Sequence, residues 1–220
     1  MDERTKRILM SAAGVALCGF SVGMFKYASL GIDPFQNLMA GLNAVIPIRF
    51  GTLYVIVNAL LLVFALVFDR TKIGIATFIN LFFLGYIADF GMYVCRSLFP
   101  ELSLTVRFLI LAAGLVLLSM SSSLYMTADL GVSTYDAIAL VWAARQKQIP
   151  FSICRIITDA SCILLGALLT VLSGKTEGLI GGVIGIGTVI TAFFMGPLIA
   201  WFSRRISEPL RYGKQHPLNN

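Results

Sequence analysis

Charge is what this sequence has least of: 13% of its 220 residues are Asp, Glu, Lys or Arg, where soluble domains carry roughly a quarter. With 58% hydrophobic residues and a mean hydropathy of +0.87, no compact soluble fold of this length has enough interior to hide the apolar surface. The surplus must face lipid. Histidine is nearly missing as well. His216 is the only one and stands in a polar tail, so no Ser/His/Asp set and no metal-ligand cluster can be assembled. The cysteines are Cys18, Cys95, Cys154 and Cys162. They fall in or at the edge of apolar stretches without CxxC spacing, and read as packing residues. The stretch GVIGIGT resembles a dinucleotide loop only loosely and lies in an apolar run, so it is given no nucleotide role. No enzyme, metal or cofactor is expected. The net charge of +6 does not point to nucleic acid, because the basic residues are not gathered on one face with interleaved aromatics. They stand at helix ends, the pattern that orients a membrane protein.

What the sequence has in place of charge is long apolar runs. Crossing a hydrocarbon core takes about 20 helical residues. Runs of about that order lie at Ile8–Phe25, Leu53–Phe68, Ile73–Cys95, Phe108–Met126, Ile153–Leu172 and Leu179–Phe202. The start, MDERTKR before ILMSAAGVALCGF, has the basic and apolar regions of a signal peptide, with no clear small-x-small cleavage site before Lys26. It is read as an uncleaved first helix.

The chain is also a duplication. Residues 7–42 lie over residues 107–142 without a gap, and Arg7, Ala12, Ala13, Gly14, Leu17, Ser21, Ala28, Leu30 and Gly31 meet their own kind. After an insertion of about ten residues, GIATFINLFFLG (Gly74–Gly85) lies over GIGTVITAFFMG (Gly185–Gly196). Glycines and a threonine in register mark a true internal repeat. Residues 1–100 form the first membrane repeat, residues 101–205 the second, and residues 206–220 a polar cytoplasmic tail.

Each half contains three long spans and one short segment opened by a turn. In the first half, LGIDPFQNLMAGLNAVIP places Asp33 as N-cap and Pro34 at the first helical position. In the second, LGVSTYDAIALVW has Ser133 with Asp136 three residues on, a capping-box-like start. The helix from Asp33 to Ile46 is roughly 20 Å long against a core of roughly 30 Å. The segments at 33–46 and 133–145 are therefore read as broken or re-entrant helices. The expected fold is all-α: a polytopic transmembrane bundle of two tandem repeats, each with three spans and one short helix. An odd number of spans per repeat inverts the second copy, as in many secondary transporters. Eight crossings with parallel repeats is the alternative. Twelve of the seventeen Lys and Arg residues fall inside if both termini are cytoplasmic, which favours that orientation and serves either arrangement.

The residues Leu30-Gly31-Ile32-Asp33-Pro34-Phe35, Phe50-Gly51-Thr52, Gly131-Val132-Ser133 and Gly185-Ile186-Gly187-Thr188 resemble those of the YczE/YyaS/YitT group of bacterial multi-pass membrane proteins. The resemblance runs from the first helix to Phe202. It implies a bacterial plasma-membrane protein of a group for which transport or export is often proposed, and it supplies no catalytic residues. Ala76 stands where the second half has Gly187, so the motif is imperfect in one copy.

Ionisable groups at membrane depth cost a few kcal/mol on insertion scales and are functional candidates by default. Arg155 and Asp159 stand one turn apart on one face, either as an ion pair that lets the helix insert or as the charged lining of a substrate path, with proton coupling through Asp159. Asn58 is the first-half equivalent of Asp159 after a one-residue shift at Phe50/Phe151. Asp89 has no basic residue near it in sequence. Asp33, Asp129 and Asp136 cluster around the two turns, where helix dipoles create ion-binding potential. Capping explains Asp33 most simply, and Asp136 can cap and also face a cavity. Gly74, Gly85, Gly185, Gly187 and Gly196 are read as permitting close helix packing. Two functions follow: a secondary transporter or exporter of an unidentified small molecule with its site between the repeats, or a non-transporting scaffold or partner subunit. The expected partners are the bilayer, that small molecule and, in one option, further copies of the chain. With so few fixed charges, a neutral, zwitterionic or amphipathic substrate fits better than a strongly anionic one.

Overall fold

The computed structural model describes residues 2–31, 33–146, 148–174 and 185–213. Every element in them is helical. The order is α1 (Glu3–Ala28), α2 (Pro34–Val45), α3 (Phe50–Phe68), a single 3-10 turn at Arg70–Lys72, α4 (Ile75–Leu98), α5 (Leu104–Ala128), α6 (Thr134–Arg145), α7 (Phe151–Leu172), α8 (Ile186–Phe202), a π turn at Ser203–Ser207 and α9 (Glu208–Tyr212). The helices α1, α4, α5 and α7, together with α8 continued through Tyr212, are long and apolar enough to cross a membrane; α3 offers a shorter apolar stretch, Thr52–Phe68. The start of the expected sixth span, residues 179–184, and the tail from residue 214 lie outside the described residues. The chain stays helical to Tyr212, and the buried Ser207 hydroxyl meets that of Ser123 at 2.5 Å, so residues 206–212 pack with the bundle.

The order long, short, long, long recurs in the two halves, and the contacts recur with it. Arg7 at the start of α1 donates from Nε to the Ala128 carbonyl at the end of α5, at 2.8 Å. Its counterpart Arg107 at the start of α5 donates to the Ala28 carbonyl at the end of α1, at 3.5 Å. These two helices therefore run antiparallel, and both end in a left-handed residue, Ser29 (φ 52°) and Asp129 (φ 55°). By contrast α4 runs parallel to α1: Gly19 lies against Leu84 and Ile87, and Gly23 against Ala88 and Met92. Further out, α2 packs on α7 and α6 on α3, so each short helix is held by the other half.

The duplicated glycine motifs explain how the halves lock. Gly31 and Gly131 follow α1 and α5 with φ of +117° and +111°, values that L side chains rarely adopt. The turns they make present the Leu30 and Leu130 carbonyls to the starts of α8 and α4 in the opposite half. Gly187 N donates to Leu30 O at 2.9 Å, and Ala76 N to Leu130 O at 3.1 Å. Orphan amides of a helix N-terminus are thereby satisfied by a loop of the other half. Thr77 adds a hydroxyl bond of 2.7 Å to the Val132 carbonyl. The Ala76 position still donates its amide, so the missing glycine leaves this bond intact. Gly196 behaves as expected, with the backbone of Ser152 against it, but Gly85 has nothing within 4 Å and is not a packing glycine. It lies among exposed neighbours on α4, including Phe82 and Tyr86.

Candidate functional site

The two short helices begin as their caps dictate. Asp33 is extended (φ −63°, ψ 157°), and its Oδ1 accepts from the amides of Phe35 (3.1 Å) and Gln36 (3.2 Å). Ser133 occupies the same place before α6, and its Oγ accepts from the Asp136 amide at 3.0 Å. The first turns of α2 and α6 then meet face to face, with the rings of Phe35 and Tyr135 stacked at 5.0 Å. Two helix N-termini, one from each half, thus converge on the same small volume.

Asp136 does not close the capping box. In that motif the acid three residues after the cap returns to the cap residue's own amide; here its carboxylate accepts from the hydroxyls of Tyr125 and Ser133, the latter at 2.6 Å, and from Nη1 of Arg155. A buried guanidinium is the stronger partner for a buried carboxylate. Arg155 also places Nε at 3.2 and 3.3 Å from the two oxygens of Asp159, and its plane lies 4.6 Å over the Tyr135 ring. The Tyr135 hydroxyl donates to Asp159 Oδ1 at 2.5 Å. Exposures of 4% for Arg155, 3% for Asp136 and 0% for Asp159 place these charges almost wholly among protein atoms. Charges buried to this degree persist only when paired and hydrogen-bonded, and all three here are. On the first-half side, Thr134 donates to Asn58 Oδ1 at 2.7 Å, and Asn58 Nδ2 donates to the Tyr54 carbonyl at 2.8 Å.

Beside this network lies a cavity of about 100 Å³. Its wall combines Asp33, Tyr54, Asn58 and Asn80 of the first half with Tyr125, Asp136 and Arg155 of the second, and Cys18 of α1 reaches it too. The two halves differ beside it: α7 packs along α8, whereas the equivalent α3 and α4 make no comparable contact, and residues of both α3 and α4 line the cavity. Of the residues expected at a site, the fold brings together Asp33, Asn58, Asp136, Arg155 and Asp159. It keeps two apart. Asp89 faces Lys26 at 3.7 Å on an exposed edge of α1 and α4. Asp129 caps the end of α5 between Arg7 (3.6 Å) and Arg211 (3.8 Å). Among the described residues, no three of His, Cys, Asp or Glu gather where they could hold a metal ion.

The tyrosines were not anticipated. Tyr125 and Tyr135 provide the hydroxyls that complete the ionic network. A signal existed in the run SMSSSLYM, where Ser119, Ser121, Ser122, Ser123 and Tyr125 are all buried. So dense a set of hydroxyls within an apolar span marks a polar interior.

An all-helical bundle with five lipid-length apolar helices and a buried ionic centre defines a polytopic membrane protein. Residues 5–204 match the family described as "Family of unknown function (DUF6198)", and the chain belongs to that family. It is similar to the "Uncharacterized membrane protein YczE" of Bacillus subtilis (strain 168), 26% identical over 201 residues covering 91% of this chain and 86% of the relative. It is also similar to the "Uncharacterized protein YyaS" of the same organism, 24% identical over 190 residues covering 86% of this chain and 88% of the relative. A third relative, an "Uncharacterized protein" of Haemophilus influenzae (strain ATCC 51907 / DSM 11121 / KW20 / Rd), is 26% identical over 206 residues, covering 93% of this chain and 86% of the relative. No solved structure matches the chain.

Proposed function

We propose that this protein is a secondary transporter or exporter of a small molecule in the plasma membrane, built from two inverted repeats with both termini cytoplasmic. One observation carries the reading: the first turns of two broken helices, one from each half, meet beside a cavity lined by Asp33, Asp136 and Arg155. Half-helix N-termini converging at the interface between repeats are the hallmark of substrate sites in this class of transporter. The antiparallel α1 and α5 support inversion. Re-entry is supported by α6, which starts beside Asn58 in the middle of α3 and ends with Arg145 over the Phe68 ring at 4.5 Å. The Leu130 carbonyl, two residues past α5, accepts from Ala76 at the start of α4, which follows α3 through a short connection, so on this reading α6 returns to the end of the bundle where α5 finished.

A non-transporting membrane subunit is the second reading, and it is favoured by the mutual pairing of Arg155, Asp136 and Asp159. Native Cys18 separates the two. In membranes carrying a variant that keeps Cys18 alone, with Cys95, Cys154 and Cys162 replaced by alanine, a small membrane-impermeant thiol reagent is added to right-side-out or to inverted vesicles. Alternating exposure of the cavity gives labelling from both sides. Labelling from neither side overturns the transport reading.

A further inference from the structure

The cavity wall carries more negative than positive charge. Its ionisable surroundings are Asp33 before α2, Asp136 on α6, and Arg155 and Asp159 on α7; the remaining titratable groups at the wall are Cys18, Tyr54, Tyr125 and Tyr135. Three carboxylates against one guanidinium leave two formal negative charges. The N-termini of α2 and α6 each contribute roughly half a positive charge, so about one negative charge stays uncompensated. Geometry says where it sits. Arg155 is engaged by Asp136, Asp159 and the Tyr135 ring, and Asp136 is further held by two hydroxyls. Asp33 receives only amide bonds from its own helix and pairs with no cation among the described residues. Aromatic side chains line the same cavity as Asp33: Phe35 is stacked on Tyr135 (5.0 Å), which Arg155 also covers, and Tyr54 stands edge-on to Phe35 (6.0 Å).

Resting on the transporter reading, we infer that the substrate is a small monovalent organic cation, its charge held by the Asp33 carboxylate and its body by the Phe35 and Tyr54 side chains that line the cavity. Anions are disfavoured because Arg155, the one guanidinium at the wall among the described residues, is already engaged by two carboxylates. Size sets the rest. An engineered apolar cavity of about 150 Å³ takes up benzene, so 100 Å³ accommodates a molecule of a few heavy atoms.

Guanidinium, urea and nitrate are planar, similar in size and differ in charge, so flux of the three separates charge from shape. The purified full-length chain is reconstituted in liposomes, and entry of each isotope-labelled compound is followed. Guanidinium entry at least tenfold above protein-free liposomes, with urea and nitrate at background, is expected. Asp33→Asn should abolish it while leaving the protein folded, because Asn caps a helix about as well as Asp; a single elution peak and an unchanged unfolding midpoint check this. Asp89→Asn, on the exposed edge, should leave the flux unchanged. Guanidinium flux that survives Asp33→Asn overturns the assignment. Urea or nitrate entering instead overturns the substrate class and leaves transport standing, whereas no flux of any of the three counts against both.

Discussion

Replacing Arg155 by methionine should cost the protein about 3–5 kcal/mol, because it removes the cation that pairs with both Asp136 and Asp159 in a buried set. Breaking one side of a buried ion pair costs this much because the partner's charge stays behind without water or counter-charge. In detergent the thermal midpoint should fall by the order of 10 °C for a chain of this size, read by fluorescence-detected size exclusion. The triple variant R155M/D136N/D159N should recover most of the loss, since it removes the charges together and leaves amides that the Tyr125, Tyr135 and Ser133 hydroxyls can still meet. If R155M alone is as stable as the parent, the three residues do not share one buried network.

The second large effect comes from the glycines that open α4 and α8. A methyl group added at Gly185 would lie 2.0 Å from the Leu30 carbonyl oxygen, and one at Gly74 would lie 2.1 Å from that of Leu130. Both obstacles are backbone, held in place by the bonds that join the halves, so neither can swing away. G74A and G185A should each destabilise by at least 1–3 kcal/mol, the usual cost of overpacking. Gly85, eleven residues after Gly74, makes the opposite case. Nothing lies within 4 Å of a methyl group there, and alanine is favoured over glycine inside a helix by roughly 0.5–1 kcal/mol. G85A should therefore be neutral or stabilising, and unfolding midpoints of the three variants give the comparison directly. Equal effects at Gly74 and Gly85 would mean that the junction between the halves carries no strain of contact.

That contrast also shows how far the sequence could be read. The repeat pattern paired Gly74 with Gly185 and Gly85 with Gly196 alike, because register is visible in a sequence and rotation about a helix axis is not. Gly74, Gly185 and Gly196 form tight contacts, while Gly85 points away from the bundle. The short helices were legible almost to the residue, 34–45 and 134–145, since Asp33, Pro34 and Ser133 carry local capping chemistry that needs no tertiary partner. Arg155 and Asp159 were legible as a pair because they lie one turn apart. Their link to Asp136, nineteen positions away, and to the Tyr125 and Tyr135 hydroxyls was not, because it depends on α6 turning back into the bundle. Asp89 stands in an apolar run and Asp129 at the turn before a short helix, which makes both candidates in sequence; in space they reach Lys26, Arg7 and Arg211 at the bundle's edges.

An inverted pair of re-entrant helices makes one demand on topology that parallel repeats cannot meet. The ends of α2 and α6 must lie on opposite sides of the membrane. Gly41 is unsuitable as a probe position, because a side chain there would strike the Gly166 backbone at 2.3 Å; Val45 and Ala144, exposed near the ends of the two helices, are free to carry one. In a chain lacking the four native cysteines, single cysteines at these positions are tested with an impermeant thiol reagent on intact cells and on inverted vesicles. Inverted repeats require Val45→Cys to label from outside and Ala144→Cys from the cytoplasm. Labelling of both positions from the same side would contradict the inversion and, with it, the transporter architecture.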